Sequence, residues 1–425
     1  MKESILQYVW QHKLFLQSNL QTADGEKVEI IDVGKSNTDA GPDFFNSKIK
    51  IDGTLWVGNV EIHSRSSEWI KHGHQKDKAY DTVILHVVAE TDGEVFRTDG
   101  TKIPQLVLPF SKDIEANYDS LLNNNKWIPC ADKIEKISEI FIQSWKNALL
   151  VERLEQKMTE IENLLTQNHY HWEEAFYIII ARNFGFGTNG QAFELLAKSV
   201  PLNVLAKHKD NLLQLEAILF GQAGLLPVDT SDDEYAMQLI KEYAFLRNKF
   251  SLQPIDCSQW KLFRLRPYNF PHVRIAQFAS LIHQSSKLFS KIIETPNLEL
   301  MKDLFSCKPS NYWQTHYLFG SASPKSTKQL GLYSIYSIVI NTIVPFLFCY
   351  ASKKNNEDLK DKSLHLLEAI PSEKNAIVKG WRNIGIASES AFDSQALIQL
   401  KKQYCDTKKC LFCRIGHKVL TLQTT

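Results

Sequence analysis

Asp43, Glu61 and His63 are the side chains of this sequence whose types and spacing most directly suggest chemistry. Glu61 and His63 lie two apart in the run Trp56-Val57-Gly58-Asn59-Val60-Glu61-Ile62-His63. On a strand they therefore share one face while Val60 and Ile62 point to the other. Asp43 follows Gly41-Pro42, a pair that turns the chain and presents the carboxylate at the start of the next strand. Two converging carboxylates hold Mg²⁺ or Mn²⁺ through hard oxygen ligands, and such an ion activates water for phosphodiester hydrolysis. In this reading Asp43 and Glu61 carry the metal, and His63 orients or deprotonates the attacking water.

A second constellation lies just downstream. His72, His74 and His86, with Asp77, offer imidazoles that together with Glu61 suit Zn²⁺ or another transition metal. The pattern predicts a helix over Ser67 to Tyr80, and on a helix His72-Gly73-His74 would turn at most one of its two rings toward such a site.

The elements that must position these residues are legible as periodicities. Ile5, Leu6, Val9, Trp10 and Leu14 recur at helical spacing and predict a helix over residues 3 to 17. Val28 to Val33, Lys48 to Ile51, Leu55 to His63 and Thr82 to Ala89 read as strands, with Asp52-Gly53 as the turn between the second and third. From about residue 136 the pattern becomes helical. The fold class expected is α+β: an α/β domain over 1–112, a mostly helical domain over 113–351, and a basic C-terminal segment over 352–425.

Cys405, Cys410, Cys413 and His417 form C-x4-C-x2-C-x3-H, closely spaced soft donors that suit Zn²⁺ or an iron–sulfur cluster. His417 is the nearest candidate for a fourth ligand and Cys307 a distant one; buried, reduced thiols are the alternative. Lys408 and Lys409 belong to a local basic patch around this cluster. Cys257 to Ile293 contains no acidic residue and interleaves Lys261, Arg264 and Arg266 with Trp260, Phe263 and Tyr268, a mixture that suits phosphate neutralisation and base stacking. The alternative is a core-lining loop whose arginines pair with distant acids.

Composition limits the rest. The chain has 425 residues, enough for two or three domains, and 49 Lys and Arg against 48 Asp and Glu, so any nucleic-acid surface must be a local patch. Met1 to Ile5 lacks the basic and apolar sequence of a secretory signal, which predicts a cytoplasmic protein with reduced cysteines. The apolar stretch Leu332 to Ala351, interrupted by Asn341 and Pro345, predicts a kinked core helix and not a membrane span. Nothing here fixes an oligomeric state.

Pro42-Asp43 and Glu61-Ile62-His63, in a helix–strand–hairpin–helix–strand order over residues 3 to 90, resemble the PD-(D/E)xK restriction-endonuclease-like superfamily. His63 stands where that superfamily usually has Lys and does not supply its fixed positive charge; Lys48, Lys50, Lys76 or Arg65 would have to. Gly41-Pro42-Asp43-Phe44, Gly58 to His63, Gly221-Gln222-Ala223-Gly224, Arg266 to Pro271 and the Cys405 to Gly416 terminus resemble the uncharacterised bacterial family called domain of unknown function 2851. The family of unknown function implies a shared fold and no activity; the function that the PD-(D/E)xK resemblance implies is a Mg²⁺- or Mn²⁺-dependent nuclease on DNA or RNA. Its rivals are a non-catalytic nucleic-acid-binding or scaffolding protein with a degenerate nuclease fold, and a metal-dependent hydrolase on another substrate.

Overall fold

The computed structural model describes residues 2–228, 233–285 and 287–422. The chain divides into two compact units, Met1–Trp145 with Leu400–Thr425, and Lys146–Gln399. The architecture is mixed α+β, with a six-stranded sheet in the first unit and a helical second unit.

The first unit opens with helix α1 (Glu3–Gln11), which buries Ile5, Leu6, Tyr8, Val9 and Trp10. The predicted helix ran to residue 17; it stops at Gln11 because Lys13 takes φ +51°, which a helix cannot accommodate. Strands β1 (Val28–Asp32), β2 (Lys35–Ser36), β3 (Phe44–Ile51), β4 (Thr54–Arg65), β5 (Val83–Glu90) and β6 (Gln105–Val107) follow. The order across the sheet is β1-β3-β4-β5-β6, with β2 on β3; β3 runs antiparallel to β4, whereas β4–β5 and β5–β6 are parallel. Asp52 at φ +43° and Gly53 at φ +80° make the β3–β4 turn, both residues in the left-handed region that a tight hairpin requires.

A parallel β4–β5 pair needs a crossover, and here it is short: helix α2 (Glu68–Lys71), then one-turn 3₁₀ segments at His74–Lys76 and Lys78–Tyr80. Trp69, Val83, Val95 and Ile103 form the apolar cluster beneath it, with Tyr80 packed against them. Asp92 fixes where the crossover begins, accepting from Ser67 N at 2.8 Å and from Ser67 Oγ at 2.7 Å. Helix α3 (Lys112–Asn123) lies against the C-terminal helix Arg414–Leu420, and Asn117 Nδ2 donates to the carbonyls of Leu420 and Leu422.

In the second unit, Leu332–Lys353 is the described helix long and apolar enough to cross a membrane, and 72% of its most apolar window is buried. Pro345 has no N–H for the carbonyl four residues back, and the helix absorbs this with a π turn at Val339–Ile343. The Tyr312-Trp313 aromatic cluster packs inside this unit: Tyr312 stacks on Tyr235 at 4.2 Å and Trp313 on Phe220 at 4.9 Å.

His272 sits in the same cluster, near Phe220, Trp313 and Phe319, with Nδ1 buried and without a partner. Burial holds this imidazole down at about 4, against an ordinary 6.5. The neutral ring therefore contributes stability that is present above pH 6.5 and lost as pH falls through about 4, amounting to about 3 kcal/mol. Glu216 titrates in the opposite sense, raised to about 7 by burial, so comparison with a variant is needed to isolate His272. Urea unfolding from pH 7 to pH 4 is expected to show a shallower loss of stability in His272→Phe than in the wild type; identical slopes would refute the assignment.

Candidate metal centre

Asp43 stands at the mouth of β3, one residue before the strand, and Glu61 and His63 lie on the buried half of β4. Glu61 is 5% exposed and His63 1%, because this stretch is covered on both faces and flanked by β3 and β5. The β4–β5 register sets His86 beside Glu61. Asp43 and Glu61 are in contact through the backbone: Asp43 N donates to Glu61 Oε2 at 3.1 Å. Asp43 Oδ2 accepts from Ile62 N at 3.0 Å and Oδ1 from the Gln7 amide at 2.9 Å. Burial, reinforced by the adjacent Glu61 carboxylate, raises the Asp43 carboxyl to about 7.

The three histidines around Glu61 do what the predicted helix would have forbidden. Gly73 caps α2 in the left-handed region at φ +80°, so His72 ends one helix and His74 begins the next turn with a changed direction. Both rings thereby reach the β4 face, and the donor atoms of His63, His72 and His74 all lie within 4.8 Å of one another. His63 Nε2 is 3.1 Å from His72 Nδ1, and Glu61 Oε1 is 3.5 Å from His63 Nε2 and 3.4 Å from His74 Nε2. Ligands about 2.0–2.1 Å from a tetrahedral ion stand about 3.3–3.4 Å apart, and these three separations fall near that value. His74 Nε2 is buried with no hydrogen-bond partner, as an atom reserved for a cation would be.

The remaining contacts hold this set in place. His63 Nδ1 meets His86 Nε2 at 2.9 Å, Tyr80 stacks on His74 at 3.7 Å, and Trp69 packs edge-on to His74 and tilted against His86. Burial lowers His63 to about 2 and His86 to about 3, with neighbouring imidazoles adding to the effect. Both are neutral near pH 7, the form in which imidazole binds metal. His63 therefore supplies no positive charge, and the lysines considered in its place lie elsewhere: Lys48 and Lys76 are exposed, Lys50 faces Glu29 at 3.6 Å, and Arg65 pairs with Glu90 at 3.3 Å.

Gly73 meets nothing within 4 Å at the position of an added Cβ, so a substitution there is opposed by its φ alone. Gly73→Ala is expected to cost about 1 kcal/mol of stability and to weaken metal binding by about tenfold. Titration of the purified variant with Mn²⁺ and Zn²⁺ checks this; wild-type affinity would mean that both rings do not depend on that turn.

A cleft of about 730 Å³ opens beside Asp43. Gln7, Tyr8, Asn37 and Asp43 line it together with Phe412, Arg414 and Lys418. His417 Nδ1 meets Tyr8 Oη at 2.6 Å and its ring lies 5.0 Å from His12, so this imidazole is engaged with α1. Of the residues predicted to meet nucleic acid, Lys261, Arg264 and Arg266 are exposed on a loop of the second unit with Phe263 81% exposed. Arg274 in the same acid-free stretch is buried, over the Phe186 ring at 4.1 Å and bonded to Gln277 and Asn269. In the first unit, Lys408 Nζ donates to the Leu122 carbonyl and Lys409 is exposed.

The chain belongs to the family described as protein of unknown function (DUF2851), whose model matches residues 3–376. No curated protein and no solved structure matches it.

Proposed function

We propose that the first unit of this DUF2851 protein is a metal-dependent hydrolase of phosphodiesters, with a first-row transition ion at Glu61, His63, His72 and His74. The observation that carries this is the convergence of three imidazoles, with the Glu61 carboxylate against two of them, beside a cleft that carries Arg414 and Lys418. Imidazole nitrogen suits Mn²⁺, Fe²⁺ or Zn²⁺ better than Mg²⁺, which moves the expected cofactor away from Mg²⁺ alone. Such an ion would polarise a phosphoryl oxygen and lower the pKa of a bound water. Arg414, Lys418, His12 and His417 give the cleft donors for a phosphate, and Asp43 joins the cleft to the ligand set. A nuclease of the PD-(D/E)xK kind is the specific reading: the order α1, β3–β4 hairpin, α2 and parallel β5 supports it, and in it Asp43 and Glu61 would take the acidic positions.

The closeness of the three imidazoles favours one other reading, a closed structural zinc site with no position left for water. Cleavage assays separate the two. Single-stranded, duplex and branched DNA and RNA are incubated with wild type and Glu61→Ala in Mn²⁺, Zn²⁺ or Mg²⁺. Metal-dependent cleavage by wild type and not by Glu61→Ala is expected; a tightly held zinc with no cleavage in any metal would leave the structural reading standing.

A further inference from the structure

A cavity of about 310 Å³ lies within the second unit, at the low end of the range for small-molecule sites. Residues of the helices Glu139–Gln167, Trp172–Phe184 and Gly190–Ser199 line it, together with the kinked helix Leu332–Lys353. We propose that this cavity binds a small organic anion, with Lys157 pairing the ligand's carboxylate or phosphate group and Asn341 holding the lysine in place. The site belongs to the second unit and does not depend on the metal reading of the first.

The balance of charge around the cavity carries the inference. Lys157, Arg182 and Lys198 line it, against the carboxylates of Glu160 and Glu194. Both carboxylates are already engaged: Glu160 lies 3.6 Å from Arg182, and Glu194 lies 3.7 Å from Arg182 and 2.6 Å from Lys198. Among the described residues, Lys157 enters no ion pair and makes one hydrogen bond, to Asn341 Oδ1 at 3.0 Å. An ammonium has three donors, so two remain for a ligand. Arg153, one turn earlier on the same helix, adds a second cation, and it is bonded to the amide oxygens of Gln395 and Gln399. A half-buried ammonium beside a guanidinium, with no carboxylate in contact, is what an anionic ligand complements. Burying an unpaired charge is costly, and a charge-assisted hydrogen bond offsets that cost. Burial, and then the Arg153 charge, lowers the Lys157 amine to about 8; a bound anion returns it to the charged form.

The kinked helix supplies the other half of the site. Its π turn, Val339–Ile343, contains Asn341, and π turns inside helices are frequent at functional sites. Asn341 Nδ2 donates to the Ser337 carbonyl at 3.0 Å, which leaves Oδ1 as the acceptor for Lys157. The amide therefore has one orientation, and the ammonium is held before a ligand arrives. Ile161, Leu164, Ile178 and Pro345 also line the cavity, so it suits a ligand with a short apolar body better than a bare ion. Arg182, Asn183, Glu194 and Lys198 border a second cleft as well, with Gly187 and Gly190, so the two hollows adjoin at that wall.

Binding is measured on full-length protein by calorimetry, with butyrate and propyl phosphate as probes and butyramide and propanol as their uncharged counterparts, at matched ionic strength. Wild type is expected to bind at least one of the two anions, one per chain, and neither uncharged compound. Affinity is expected to fall by at least about tenfold in Lys157→Met and to stay unchanged in His63→Ala/His74→Ala. If Lys157→Met does not fold, amine acetylation of wild type read by mass spectrometry decides: Lys157 is expected to react more slowly with the anion present and not with its uncharged counterpart. Failure of both anions to bind, equal binding of an anion and its uncharged counterpart, wild-type affinity in Lys157→Met, or a Lys157 acetylated equally with and without anion would each overturn the proposal. Loss of binding in His63→Ala/His74→Ala would place the anion in the first unit and overturn it too.

Discussion

Replacing His74 with alanine is expected to lower affinity for Mn²⁺ or Zn²⁺ by more than about 100-fold, and replacing His86 by about 10–100-fold, the usual effect of an outer partner. The two rings lie on the same face of the sheet and differ in what they touch. His74 Nε2 is 3.4 Å from Glu61 Oε1 and has no hydrogen bond to lose, so its removal takes away a donor. His86 meets His63 Nδ1 and not the carboxylate. Its role is to fix the ring and tautomer of His63, leaving Nε2 free toward His72 and Glu61. His74→Ala also forfeits the stack on Tyr80, so thermal unfolding must be measured alongside calorimetric metal titration. Equal losses at His74 and His86, with both variants folded, would mean that the ion does not sit where the donors converge. His72 offers an internal control. It is the exposed member of the three, so His72→Ala is expected to weaken binding with little change in melting temperature.

The sheet could be read from the sequence because runs rich in β-branched residues bounded by turn residues are a local property, and Asp52-Gly53 specifies its turn within two residues. That Glu61 and His63 share a face follows from the two-residue period of a strand. The histidine triad could not be read in this way, because it depends on the sign of φ at Gly73, and a helical pattern carried through that residue gives the wrong geometry. A glycine between two histidines was the available signal: it is the residue that ends helices in the left-handed region. His417 matched a spacing rule and was claimed by Tyr8, a partner on α1 that spacing does not see.

The largest stability effect expected is at Asp393. Its Oδ1 lies 3.0 Å from Lys146 Nζ, with the two side chains 13% and 8% exposed, and its Oδ2 accepts from Glu389 N at 3.0 Å. Lys146 also donates to the Ala387 carbonyl at 3.0 Å, so one ammonium and one carboxylate fasten the turn that precedes helix Ala391–Gln399. Asp393→Ala strips a buried ammonium of its carboxylate and is expected to cost about 3–5 kcal/mol. Asp393→Asn keeps an acceptor for Glu389 N and should cost less, which separates lost charge from lost hydrogen bonding. Removing both charges is different in kind: in Lys146→Met/Asp393→Leu neither group is left uncompensated, and desolvation no longer opposes folding. The double variant should therefore recover most of the loss, as read by urea unfolding at pH 7. Losses in the double variant equal to the sum of the two single variants would show that the ion pair is not the coupling unit, and that the turn depends on the two residues independently.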